Sequence, residues 1–164
     1  MKTPLEPPER RHLQAAIGYL ELGMAAEANA ELEEINSSRR QHPDILAARV
    51  GIYRVLRKWE LMRTTAEKLV VWNPREPSHF VDLAYATRRA RSLLEAHAVL
   101  TYAAELHPKD PVIQFNLACY ESQLGSMSDA KKHLAHATKL DKRFGLIALE
   151  DPDLRPLWAS LTHD

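Results

Sequence analysis

Pro74-Arg75-Glu76-Pro77 and Pro108-Lys109-Asp110-Pro111 carry one pattern, proline, basic, acidic, proline, at a spacing of 34 residues. The same step backward from Pro77 lands on Pro43. A proline is tolerated at the first turn of a helix, where its missing N–H would be unpaired anyway, and it pushes the preceding residue out of the helical region. Each Pro-x-x-Pro therefore reads as the end of one helix and the start of the next. Its recurrence makes the chain a tandem repeat.

Laid out from Glu9, the step marks four segments without an insertion: 9–42, 43–76, 77–110 and 111–144. Each is expected to hold two antiparallel helices. Residues 1–8 are proline-rich and without periodicity, so they are read as an extended lead-in that frays. The eighth place of the segments reads Ala16, Val50, Ala84 and Ala118, and the twentieth reads Ala28, Met62, Ala96 and Ala130. Alanine is concentrated there far beyond its share of the chain, as close approach of two helices requires. The twenty-fourth and twenty-seventh places give the apolar stripe of the second helix: Leu32 and Ile35, Ala66 and Leu69, Leu100 and Ala103, Leu134 and Ala137. Met62 and Ala66 exchange large for small, a swap that conserves volume. Gly23 and Gly125 occupy the fifteenth place, where a left-handed residue closes a helix. Arg57 and Arg91 stand there in the middle segments, so those turns are expected to be less tight.

These residues resemble the tetratricopeptide repeat (TPR) family, whose 34-residue unit has small residues at places eight and twenty, an apolar one at twenty-four and proline at thirty-two. Pro74 and Pro108 match the last of these, and Tyr19 and Tyr53 match the family at place eleven. The chain departs at place four (His12, Leu46, Phe80, Gln114), at place eleven (Thr87, Glu121) and at place thirty-two (Arg40, Lys142). The resemblance implies an all-α fold, a right-handed superhelix or α-solenoid of antiparallel helix pairs. Beyond Phe144 the pattern stops, because Pro152 falls where a small helical residue is needed. Asp151-Pro152 reads as an N-cap with proline at the first position, and Leu154, Leu157, Trp158 and Leu161 follow at helical spacing. Residues 145–164 are thus expected to form a capping helix over the exposed end of the array.

The resemblance also implies a concave binding surface built from places two, five, nine, twelve and thirteen of each first helix. Leu13, Ile17, Leu20, Arg54, Val81, Tyr85, Arg88, Arg89, Phe115 and Cys119 are its candidate partner-binding residues. They describe an apolar groove rimmed by arginine, suited to a protein or peptide with apolar anchors and acidic residues. The competing expectation is that the lead-in, the tail or a second subunit covers the groove. The family's clamp for chaperone C-termini is absent: its places carry Leu13, Ile17, Ala48, Ser78 and Asp82, or, one repeat later, Ala47, Gly51, Asp82, Val112 and Asn116. Small TPR chaperones of bacterial secretion systems are a closer analogy, and a homo-oligomeric module using the groove as its own interface, such as a homodimer, is the alternative from another class.

Composition narrows the remaining classes. With 22 Lys plus Arg against 22 Asp plus Glu there is no global field to draw the chain onto nucleic acid or an anionic membrane. Arg49, Arg54, Arg57, Lys58, Arg63, Arg88, Arg89 and Arg91 do cluster centrally, but only Trp59 and Tyr85 would stack on bases, so no nucleic-acid partner is expected. His133 and His136 share a helix face without a carboxylate or cysteine at ligand spacing, so no metal is expected. Cys119 reads as a small apolar residue of the groove floor. No phosphate loop, nucleophile elbow or zinc-helix motif occurs, which points to a non-enzymatic module without cofactors. No apolar run has signal-peptide or membrane-spanning length, and the single cysteine fits a reducing compartment; the expected location is cytoplasmic.

Overall fold

A computed structural model describes residues 3–161. Among them it has ten α-helices and no strand: α1 (Pro7–Glu21), α2 (Ala25–Glu33), α3 (Pro43–Val55), α4 (Trp59–Trp72), α5 (Pro77–Ala90), α6 (Leu93–Leu106), α7 (Pro111–Leu124), α8 (Met127–Leu140), α9 (Arg143–Glu150) and α10 (Arg155–Leu161). Pro43, Pro77 and Pro111 each open a helix. The residue before each accepts a backbone N–H that the helix leaves unpaired: His42 Nδ1 from Asp44 N (3.2 Å), Glu76 Oε1 from Ser78 N (3.3 Å) and Asp110 Oδ1 from Ile113 N (2.9 Å). Among the described residues no helix is long and apolar enough to cross a membrane.

The chain divides into two compact units, one ending at Pro74 and the other starting at Arg75. The N-terminal unit pairs α1 with α2 and α3 with α4; the C-terminal unit pairs α5 with α6 and α7 with α8. All eight residues at places eight and twenty are buried, none more than 3% exposed. The apolar stripe at places twenty-four and twenty-seven is buried in every repeat, and Met62 and Ala66 are both at 0%. The proline ruler therefore sets the helix register that the packing uses.

Several local features differ from the sequence expectation. The lead-in does not fray over its described part: Leu5 joins the core of the N-terminal unit, His42 Nε2 bonds Thr3 O at 3.1 Å, and Arg39 Nη2 donates to Pro4 O at 2.7 Å. Met1 and Lys2 lie outside the described residues. Helix α1 starts at Pro7, inside the expected lead-in, because Glu6 N is capped by Glu9 Oε2 at 2.7 Å. Helix α2 stops early, after nine residues, and a 3-10 turn (Ser37–Arg39) follows. Here Arg40, standing where later repeats have proline, donates to the carbonyls of Glu33 and Ile35 and so caps the helix end.

The turns and the tail complete the differences. Arg57 adopts φ +55° and closes its turn as Gly23 and Gly125 do; Lys58 N reaches Tyr53 O at 2.9 Å, matching 2.8 Å for both Met24 N to Tyr19 O and Ser126 N to Glu121 O. That turn is as tight as the glycine turns, at the expense of a left-handed arginine. Arg91 instead sits at φ −128°, and Ser92 Oγ caps α6 by accepting from Glu95 N at 3.1 Å. The tail is two helices rather than one. Helix α9 runs eight residues until Asp151, extended before Pro152, stops it; a 3-10 turn (Pro152–Leu154) then leads into α10.

Candidate functional site

In the N-terminal unit, α1 and the lead-in shape an open pocket of about 450 Å3. Leu5, Leu13 and Ile17 supply its apolar lining, with Arg10, His42 and Asp44 beside them. Ile17 is 44% exposed, unusual for an isoleucine in a packed helix pair. The lead-in forms a wall of this pocket without filling it. Leu20 lies deeper, where its Cδ2 would stand 3.1 Å from a Cβ added to Gly51; the glycine lets α3 come against that leucine. Arg54 and Val55 are exposed at the end of α3.

The C-terminal unit has a different surface at the corresponding places. Arg88 of α5 pairs through both terminal nitrogens with the Asp153 carboxylate, its Nη2 lying 3.1 Å from Oδ1. The guanidinium carbon stands 5.2 Å from the centre of the Tyr120 ring. Gln123 Nε2 donates to Asp153 O at 2.8 Å, and Ser122 Oγ accepts from Leu157 N at 3.3 Å. Leu154 and Leu157 are 0% and 1% exposed. Phe115 meets Phe144 of α9 with ring centres 4.8 Å apart. Val81 and Tyr85 are half-buried, and Arg89 stands over the Tyr85 ring at 5.2 Å.

Cys119 is 3% exposed, and burial drives its thiol well above the ordinary range, with Asp151 and Asp153 adding to the effect. A thiol held neutral in this way is a packing group. Burial likewise pushes the Tyr120 phenol up to about 12. Several arginines of the central cluster are engaged internally: Arg49 with Glu33 at 2.6 Å, Arg63 with Glu60 and Glu67, and Arg88 with Asp153.

Two groups at this site escaped the sequence reading. Asp153 stands one residue before Leu154 and four before Leu157, so an acidic residue leading two leucines was its available signal. Glu121 is 4% exposed and is bracketed by His97 Nε2 (3.2 Å) and His133 Nδ1 (2.7 Å) from the flanking helices α6 and α8. The bond to Glu121 raises the His133 pKa above its ordinary value of 6.5. The clue was a carboxylate at place eleven, which is buried and therefore demands a cationic or donor partner. Among the described residues no group of three or more His, Cys, Asp or Glu could hold a metal ion.

No family model matches the sequence, and no curated protein matches it. Solved structures do. MamA from Desulfovibrio magneticus RS-1, residues 41 to the end, superposes with a TM-score of 0.74 at 16% identity over 82% of this chain and 76% of that one. TTC0263, a thermophilic TPR protein of Thermus thermophilus, gives 0.67 at 19% identity over 92% and 87%. YrrB, described as a TPR protein with an unusual peptide-binding site, gives 0.64 at 16% identity over 80% and 68%. This is the tetratricopeptide repeat fold. In TPR terms the N-terminal unit is repeats one and two, and the C-terminal unit is repeats three and four followed by α9 and α10. The TPR first-helix residues singled out from the sequence fall into two sets. Leu13 and Ile17 line the N-terminal pocket, Leu20 packs half-buried beside Gly51 and Arg54 is exposed on α3, whereas Arg88 contacts the chain's own tail, Cys119 is buried, and Phe115 contacts α9.

Proposed function

We propose that the chain is a non-enzymatic protein-interaction scaffold and that its N-terminal unit presents the face for a first partner. The observation that carries this reading is the pocket of about 450 Å3 whose lining of Leu5, Leu13 and Ile17 remains open beside Arg10. An apolar recess with a neighbouring cation fits a peptide or helix that offers an apolar anchor next to an acidic residue. The peptide-binding site named for YrrB, a structural neighbour, adds support from outside the chain.

The test is a titration of labelled peptides carrying leucines and acidic residues against the unaltered chain, Ile17→Asp and Arg10→Glu. Ile17→Asp is expected to abolish binding and Arg10→Glu to weaken it about tenfold, since a cation at the rim acts mainly by charge complementarity. Identical curves for all three proteins would remove the N-terminal face from the account. A second reading, self-association, draws on α9, where Leu146, Ile147 and Leu149 are 74%, 48% and 66% exposed. Light scattering of the unaltered chain and Leu146→Asp separates it: a dimer lost in the variant would favour a second copy on α9, and a monomer in both would end that reading.

A further inference from the structure

The C-terminal unit holds residues 151–157, a 3-10 turn and the first residues of α10, through contacts of the kind a receptor makes with a short peptide. Three kinds of contact act together. Arg88 clamps the Asp153 carboxylate with both terminal nitrogens. Side chains of α7 take the segment's main chain, Gln123 at Asp153 O and Ser122 at Leu157 N. Leu154 and Leu157 are buried, and their removal from water supplies the non-directional part of the attraction. A charge clamp, main-chain capture by side chains and spaced apolar anchors are sufficient to read a short segment, and none of them needs covalent continuity with α9.

Three features bear on how firmly the segment is held. Helix α10 has seven residues, too few to persist once detached. The Arg88–Asp153 pair is 27% and 28% exposed on its two sides, so water reaches it. The connection at Asp151 is extended rather than helical.

We propose that this face of the C-terminal unit is a docking site for a partner segment of the pattern acidic residue, leucine, two residues, leucine, and that Asp153-Leu154-Arg155-Pro156-Leu157 is its resident occupant, displaced when the partner binds. The proposal rests on the interaction-scaffold reading only in requiring that a partner exist. Because the resident is tethered, its effective concentration is on the order of millimolar, and only a segment that matches all three contacts competes. The tail thereby sets a threshold that excludes segments merely acidic or merely apolar.

The test uses the full chain and a fluorescein-labelled peptide with the sequence of residues 150–161, followed by anisotropy. Asp153→Ala weakens the resident without altering the receiving residues, and it is expected to bind the peptide about tenfold more tightly than the unaltered chain. Arg88→Gln added to Asp153→Ala is expected to remove that gain, and a peptide with lysine in place of the aspartate is expected not to bind. At saturation, hydrogen exchange of the chain's own residues 151–161 should accelerate while α5 to α8 stay protected. Thermal melting by circular dichroism checks each variant, and Asp153→Asn and Arg88→Lys replace any that does not fold, with the same order expected. No binding to folded Asp153→Ala, or binding unaffected by Arg88→Gln, overturns the proposal. Ile17→Asp in the Asp153→Ala background should leave the gain from Asp153→Ala unchanged; loss of that gain would place the peptide on the N-terminal unit, ending this proposal and leaving the scaffold reading intact. A dimer of the unaltered chain that the peptide dissociates would make a second copy the occupant and would equally overturn a partner segment.

Discussion

Leu20 and Arg88 stand at the same place of repeats one and three, and the chain uses them in opposite ways. Leu20 packs toward Gly51 near a pocket that the described lead-in walls without filling, with Ile17 exposed one turn earlier. Arg88 reaches a carboxylate supplied by the tail and closes that face. The same contrast runs through place eleven: Tyr19 and Tyr53 pack against the apolar core of the N-terminal unit, whereas Thr87 and Glu121 put polar groups at that depth in the C-terminal unit. One helix-pair scaffold thus carries two surfaces, an open apolar one and a polar one already holding an acidic, leucine-bearing segment. The small residues at places eight and twenty set the scaffold; the first-helix places set what it receives.

The largest test of this contrast is Leu157→Ala. Truncating a leucine at 1% exposure should cost about 3 kcal/mol, read as a shift of the urea midpoint, with hydrogen exchange faster in α7 and α10. An unchanged midpoint would mean that the tail adds no stability to the C-terminal unit. Next in size is Arg57→Gly, which relieves a left-handed arginine and should stabilise the N-terminal unit by about 1 kcal/mol, while Arg91→Gly, at a position without positive φ, gives no such gain. Equal responses at the two sites would mean that the Arg57 turn carries no strain.

A pH titration sharpens the comparison further. The bond to Glu121 raises the folded pKa of His133 above 6.5, so its contribution is complete below that value and is lost as pH rises through the raised folded pKa. Urea midpoints measured upward from about pH 6 should therefore fall more steeply for the unaltered chain than for His133→Gln. Parallel curves would show that the His133–Glu121 bond adds no pH-dependent stability. The smallest expected effect on stability is that of Ile17→Asp, within about 0.5 kcal/mol, because the residue is already 44% exposed. Its effect should lie in partner binding alone.

The repeat register was legible because it depends on local rules. Proline marks helix starts, and alanine recurs where helices touch, so the residues at places eight, twenty, twenty-four and twenty-seven follow from spacing. Helix α9 was not legible, since Pro152 disqualified the segment as a repeat without showing that eight residues before it would still coil. The Arg57 turn departs from expectation because the surrounding hydrogen bonds impose a conformation that propensity alone disfavours. For the site, the chain offered Arg88, Phe115 and Cys119 as surface residues; that Asp153 would reach Arg88 across 65 positions of sequence is a long-range pairing with no local signature. Charge and apolar pattern identified the chemistry of an acceptable ligand, and the tail supplies that chemistry from within.

Cys119 gives the central claim a built-in probe, since the chain has one cysteine and it lies on the face proposed to be occupied. Native-state thiol labelling of the Ile17→Cys variant, with and without Asp153→Ala, compares both faces in one molecule. An open N-terminal face and a tail-covered C-terminal face predict a fast phase from position 17 and a slow phase from Cys119, about a hundredfold apart, with Asp153→Ala accelerating only the slow one. A Cys119 rate that matches the fast phase, or one that Asp153→Ala leaves unchanged, would contradict the account.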